Sequence, residues 1–89
     1  MYKKSFEEVW TLICKHSGGI FKTKKSKEFT YTIQKEYVIP SRKNYKIDKK
    51  DFEKAYRMMP LDGPGVINDV IRGPSYVWAI LNDNRIFKK

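Results

Sequence analysis

Phe29-Thr30-Tyr31-Thr32-Ile33-Gln34 alternates apolar and polar residues without a break. Successive side chains of a β-strand point to opposite faces of the sheet. Six residues in strict alternation therefore predict a strand with one buried and one solvated side. Phe29, Tyr31 and Ile33 form its expected core side, and Thr30, Thr32 and Gln34 its polar side. This is the clearest period-two signal in the 89 residues, and the rest of the fold is read outward from it.

Upstream, Phe21 and Thr23 alternate with Lys22 and Lys24, which predicts a first strand, and Lys25-Ser26-Lys27 is the polar turn that joins the two. Downstream, Lys35-Glu36 reads as a turn and Tyr37-Val38-Ile39 as a third strand. Pro40 has no N–H to give to a ladder, so that strand ends there or lies at an edge. Ser41-Arg42-Lys43-Asn44 is a polar loop, and Tyr45 and Ile47 suggest one more short extended piece. A small antiparallel sheet of three to four strands is expected.

Helical spacing flanks this sheet. Ser5 and Glu8 have the spacing of a capping box, and Phe6, Val9, Trp10 and Ile13 recur on one helical face. Gly18-Gly19 ends that helix, predicted over Ser5 to His16. A second helix starts at Asp48 or Lys49, capped by the Asp48 carboxylate, with Phe52, Ala55, Tyr56 and Met59 as its stripe and Pro60 as its stop. After the turn Leu61-Asp62-Gly63-Pro64-Gly65, a third helix buries Val66, Ile67, Val70 and Ile71. Gly73-Pro74 then breaks the chain, and Pro74 opens a fourth helix with Val77, Ile80 and Leu81 inward. Asn82-Asp83-Asn84 ends it, and Arg85 to Lys89 reads as a loose tail on which Ile86 and Phe87 are the residues able to dock. The reading is a single α+β domain over residues 1–89: an N-terminal helix, the sheet, then about three C-terminal helices.

The charge is local. Residues 21–50 hold ten Lys or Arg against three acids, a net +7, whereas the other 59 residues carry nine against seven, a net +2 of the total +9. A concentrated positive field attracts polyanions and releases their counterions. Nucleic acid is therefore the first partner indicated, DNA ahead of RNA. The residues expected to touch it are Lys22, Lys24, Lys25, Lys27, Arg42, Lys43 and Lys46 for phosphates, with Thr30, Thr32 and Gln34 hydrogen-bonding from the polar sheet face. Lys outnumbers Arg 15 to 4, and Arg is the residue favoured for reading guanine, so phosphate attraction is expected to outweigh base reading. The competing reading of the same residues is a solvated surface that keeps sheet edges from aggregating.

Other patterns carry less. Tyr31, Tyr37 and Tyr45 lie among the basic residues as in a single-strand binder, yet alternation puts Tyr31 with Phe29 and Ile33 on the core side. The helix after Gly73-Pro74 has no Lys or Arg to reach a groove, so a helix-turn-helix is not indicated; Arg72 and Arg85 bracket it. Gly63-Pro64-Gly65 lacks the Gly-Lys-Ser/Thr of a phosphate loop. Cys14 and His16 are two apart on a helix and point about 200° from each other. With one Cys and one His in the chain, they complete neither a disulfide nor a zinc site. Asp48, Asp51 and Glu53 suit the positive end of a helix dipole. No cofactor, metal or enzymatic activity is expected.

The start leads into an amphipathic pattern rather than an apolar leader, and no apolar run approaches the roughly 20 residues of a membrane span. A cytoplasmic basic protein with no membrane association is expected. The alternative function is a protein-interaction role, a small inhibitor or adaptor of phage or mobile-element type. It would use a C-terminal aromatic and Met surface of Tyr76, Trp78, Met58 or Met59 as its anchor.

Overall fold

A computed structural model of the chain describes residues 5–41, 46–59, 64–67, 71 and 73–86, and in it the strand read from Phe29 to Gln34 is present but divided. Strand β1 (Phe21–Lys22) pairs antiparallel with β2 (Glu28–Phe29), Phe21 opposite Phe29. Strand β3 (Tyr31–Gln34) pairs with β4 (Tyr37–Pro40), and β4 pairs in turn with β5 (Ile47–Asp48). The sheet expected as one is thus a two-stranded and a three-stranded sheet.

The division falls at Thr30. Its N–H donates to Ser41 Oγ at 3.0 Å, and its carbonyl accepts from the Ser41 N–H at 2.8 Å. The carbonyl of Tyr31, one residue on, accepts instead from the Gly18 N–H at 2.8 Å. Backbone groups of neighbouring strand residues point to opposite edges. Residues 28–34 therefore carry one ladder on each side, β1 along one edge and β4 along the other. The side-chain alternation continues through the division: Phe29 and Tyr31 are buried, while Glu28, Thr32 and Gln34 are exposed.

Helix α1 (Phe6–Lys15) starts where Ser5 Oγ accepts the Glu8 N–H at 3.3 Å and is capped at His16. Gly18, at φ +87°, lets the chain turn back toward the sheet. Helix α2 (Lys49–Arg57) begins at Asp48, whose carboxylate accepts the Lys50 N–H at 2.9 Å. It ends two residues short of Met59, because the N–H groups of Met58 and Met59 turn back to the Ala55 and Tyr56 carbonyls in a tightened last turn.

Of the expected third helix, the described part is a one-turn 3₁₀ segment at Pro64–Ile67. Gly65, in its first turn, gives it little α-helical preference. Residues 68–70 lie outside the described residues. Helix α3 (Pro74–Leu81) opens on Pro74 as read, with Gly73 in the left-handed region at φ +63°. The architecture is α+β with an N-terminal helix; among the described residues the C-terminal part holds two α-helices and a single 3₁₀ turn, where about three helices were expected.

As far as Ile86 the chain after α3 is docked, as the tail reading allowed for that residue, while Phe87 and the rest of that tail lie outside the described residues. The chain turns through Asp83, whose carbonyl accepts the Ile86 N–H at 3.0 Å, and Ile86 is fully buried. The core draws Val9 and Ile13 from α1, Phe21 and Phe29 from the first sheet, Tyr31, Val38 and Ile47 from the second, Phe52 from α2, and Val77, Ile80 and Leu81 from α3. Each such side chain contributes about 1.5–3 kcal/mol on burial. Tyr31 is wholly buried, and its hydroxyl donates to the Ile13 carbonyl at 2.6 Å, tying α1 to the central strand.

Candidate nucleic-acid interface

Four of the expected phosphate contacts share one short hairpin. β1 and β2 are joined by a turn that Thr23 closes with both its backbone and its side chain. The Thr23 N–H donates to the Lys27 carbonyl at 3.0 Å, and the Lys27 N–H donates to Thr23 Oγ1 at 3.2 Å. Ser26 sits at φ +66° to complete the reversal. Lys22, Lys24, Lys25 and Lys27 are all exposed on this hairpin. Its other side is aromatic. The Phe21 ring packs against Phe29 and Tyr31 at 6.2 and 5.2 Å, and Phe29 meets Tyr76 edge-on at 4.9 Å. The cationic groups thus ride on a backbone anchored from beneath.

The second set lies on the outward face of β3, β4 and β5. Ladder partners share a face, so the pairs Thr32–Ile39, Gln34–Tyr37 and Tyr37–Asp48 place these residues together. Thr32, Gln34 and Lys46 are exposed; Thr30 is half-buried, its backbone held by Ser41. The Lys46 ammonium stands 5.3 Å from the Tyr37 ring centre, a cation–π contact on the solvent side. Arg42, Lys43 and Tyr45 lie outside the described residues. Tyr37 is half-buried on the polar face, whereas Tyr31 belongs to the core.

Lys49 belongs to the same basic stretch but not to this surface. Its ammonium lies 3.5 Å from a Glu7 carboxylate oxygen and 3.9 Å from one of Glu36, and 5.6 Å from the Trp10 ring centre. Its side chain keeps only 21 % of its surface in solvent. Lys49 pins α2 to α1 and to the β3–β4 turn, where the Glu36 carbonyl also accepts its N–H at 2.9 Å.

Sequence reasoning set Arg72 and Arg85 on either side of the last helix, able to touch a nucleic-acid backbone; Arg72 lies outside the described residues, and Arg85 has partners within the fold. Its Nε donates to one oxygen of Asp83 at 2.8 Å and its Nη2 to the other at 3.0 Å, while Nη2 also donates to the Ile20 carbonyl at 2.6 Å. The guanidinium carbon sits 3.9 Å from the Phe21 ring centre. The Arg85 hydrogen bonds hold the Asp83 carboxyl below the usual aspartate range. Beside this latch a cleft of about 420 Å³ opens between β1 and α3, lined among others by Ile20, Lys22, Lys24, Trp78 and Asn82. A sequence signal existed in the Asp83-Asn84-Arg85 spacing, but nothing local showed that it would reach β1.

Elsewhere the chemistry is sparse. Burial pushes the Cys14 thiol up, with the Lys49 charge only partly opposing it. A nucleophilic cysteine needs the reverse shift. Among the described residues, no three His, Cys, Asp or Glu side chains gather as a metal would require, and no helix is long and apolar enough to cross a membrane. Tyr76 is buried at 7 % exposure, so it is not the exposed C-terminal anchor expected of it; Trp78 and Met59 are half-buried and Met58 is exposed. Comparison with protein-family models, curated proteins and solved structures finds no match.

Proposed function

We propose that this protein is a nucleic-acid-binding module, without catalytic activity, that holds phosphates through the lysines of the β1–β2 hairpin. The observation that carries the reading is the exposure of Lys22, Lys24, Lys25 and Lys27 within a single hairpin fixed from below by aromatic packing. The outward face with Thr32, Gln34 and Lys46 continues the surface along the same central strand, since residues 28–34 keep one alternation from end to end. DNA is the preferred partner in this reading and the cytoplasm its compartment, consistent with Cys14 remaining a free thiol.

The test is the salt dependence of binding to a labelled DNA duplex, read by fluorescence anisotropy. Each phosphate neutralised contributes a slope of about −0.9 in log K against log salt, so four hairpin lysines account for a slope near −3.6. Replacing all four by Glu abolishes retention at moderate salt while circular dichroism stays native. Retention unchanged by those replacements sinks the proposal and turns attention to the inhibitor or adaptor reading.

A further inference from the structure

The cleft between β1 and α3 adjoins the lysine hairpin, and its lining is mixed. Ile20, at 58 % exposure, is the most exposed large apolar side chain among the described residues. Trp78 supplies an indole from the α3 side, and Arg85 a planar guanidinium that Asp83, the Ile20 carbonyl and Phe21 hold in one orientation. The Arg85 side chain still keeps 39 % of its surface in solvent. Asn82 and Thr23 add hydrogen-bonding groups, and Lys22 and Lys24 supply cations to the β1 wall. At about 420 Å³, the cleft lies within the range of small-ligand sites.

We infer that this cleft receives an unpaired base of a single-stranded nucleic acid, with Trp78 as its stacking surface. The inference rests on the nucleic-acid reading above and adds the form of the ligand. Indole and guanidinium planes are the surfaces on which splayed bases stack, and each base in a strand has a phosphate on either side. Cations on the β1 wall beside an aromatic and apolar lining match that repeat of flat ring and negative charge. An apolar peptide anchor has no anion to meet Lys22 and Lys24. A base inside a duplex is paired and stacked, so it cannot enter without being flipped out. The cleft therefore discriminates by strandedness, whereas the hairpin lysines attract either form.

The experiment compares labelled single strands of about 12 nucleotides, DNA and RNA, with the corresponding DNA duplex. Anisotropy gives the affinities. Tryptophan emission reports the cleft, since Trp10 is buried and Trp78 lines it. The expected result is tighter binding of single strands, with emission quenched by them and not by the duplex. Trp78→Ala weakens single-strand binding about 5- to 150-fold, the loss of one stacked base, and leaves duplex affinity unchanged. Ile20→Ala removes an exposed side chain, so its fold is secure, and it weakens single-strand binding in the same selective way. If single strand and duplex bind equally and neither variant separates them, the inference is overturned while the nucleic-acid reading stands. If the native protein holds neither polymer at low salt, that reading falls and this one with it.

Discussion

Two regions of the molecule use lysine in opposite ways. On the β1–β2 hairpin, Lys22, Lys24, Lys25 and Lys27 project into solvent from an aromatic base. At the seam of α1 and α2, Lys49 is folded inward among Glu7, Glu36 and Trp10. All five belong to one basic stretch of sequence, and a charge count does not tell them apart. The fate of a cation is set by what long-range folding places beside it. Charge density along a chain thus bounds a binding surface without mapping it.

The sharpest challenge to this contrast is replacement of the four hairpin lysines by Ala. Affinity for DNA duplex is expected to fall about 10³-fold at roughly 0.1 M salt, from four lost phosphate contacts. The denaturation midpoint stays in place, because exposed side chains contribute little to stability. A large drop in stability instead would show that these lysines are structural, like Lys49.

The next effect concerns what holds the hairpin end of the molecule. Ile86→Ala empties a fully buried site next to the Arg85 latch and is expected to cost about 2–4 kcal/mol in urea unfolding. A loss below about 0.5 kcal/mol would mean that the chain after α3 is not docked.

Lys49→Ala is the mirror of the hairpin variant. It removes two long ion pairs and a cation–π contact from a half-buried setting, so about 1 kcal/mol of stability is lost. DNA affinity is expected to change less than the loss of any one hairpin lysine changes it. Equal losses of affinity would erase the distinction between the two regions.

The smallest effect is a pH dependence. Hydrogen bonds from Arg85 depress the Asp83 carboxyl, so its contribution is complete above the ordinary aspartate value of about 3.9 and is lost as pH falls through the lowered value of the folded state. Asp83→Asn should flatten the acid limb of a stability–pH curve and leave the neutral region's slope unchanged. An unaltered acid limb would remove the latch as an electrostatic element.

Much of the local structure was legible because local physics decides it. Ser5 and Asp48 cap helices wherever the chain takes them, and Pro74 starts a helix at a position where a missing N–H is harmless. The strand from Phe29 to Gln34 was legible as side-chain alternation. Its division was not, since hydrogen bonds change edge at Thr30 without disturbing which side chains face inward. Ile86 was named only as able to dock, because two apolar residues in a basic tail have no periodicity to fix their place. The hairpin lysines were read from charge alone. The cleft required Ile20 and Trp78 to meet across 58 residues of sequence, which no spacing rule anticipates.

The central segment accepts from Gly18 at the Tyr31 carbonyl on one side and exchanges bonds with Ser41 at Thr30 on the other, which bears on ligand capture. These bonds sit immediately after β2 and join the end of the hairpin to α1's exit and to the end of β4. Under the proposed function, a polyanion arriving there would meet a turn whose backbone is already hydrogen-bonded at Thr23 and Lys27, with the long lysine side chains left to be restrained. Preorganisation of this kind lowers the entropic penalty of association.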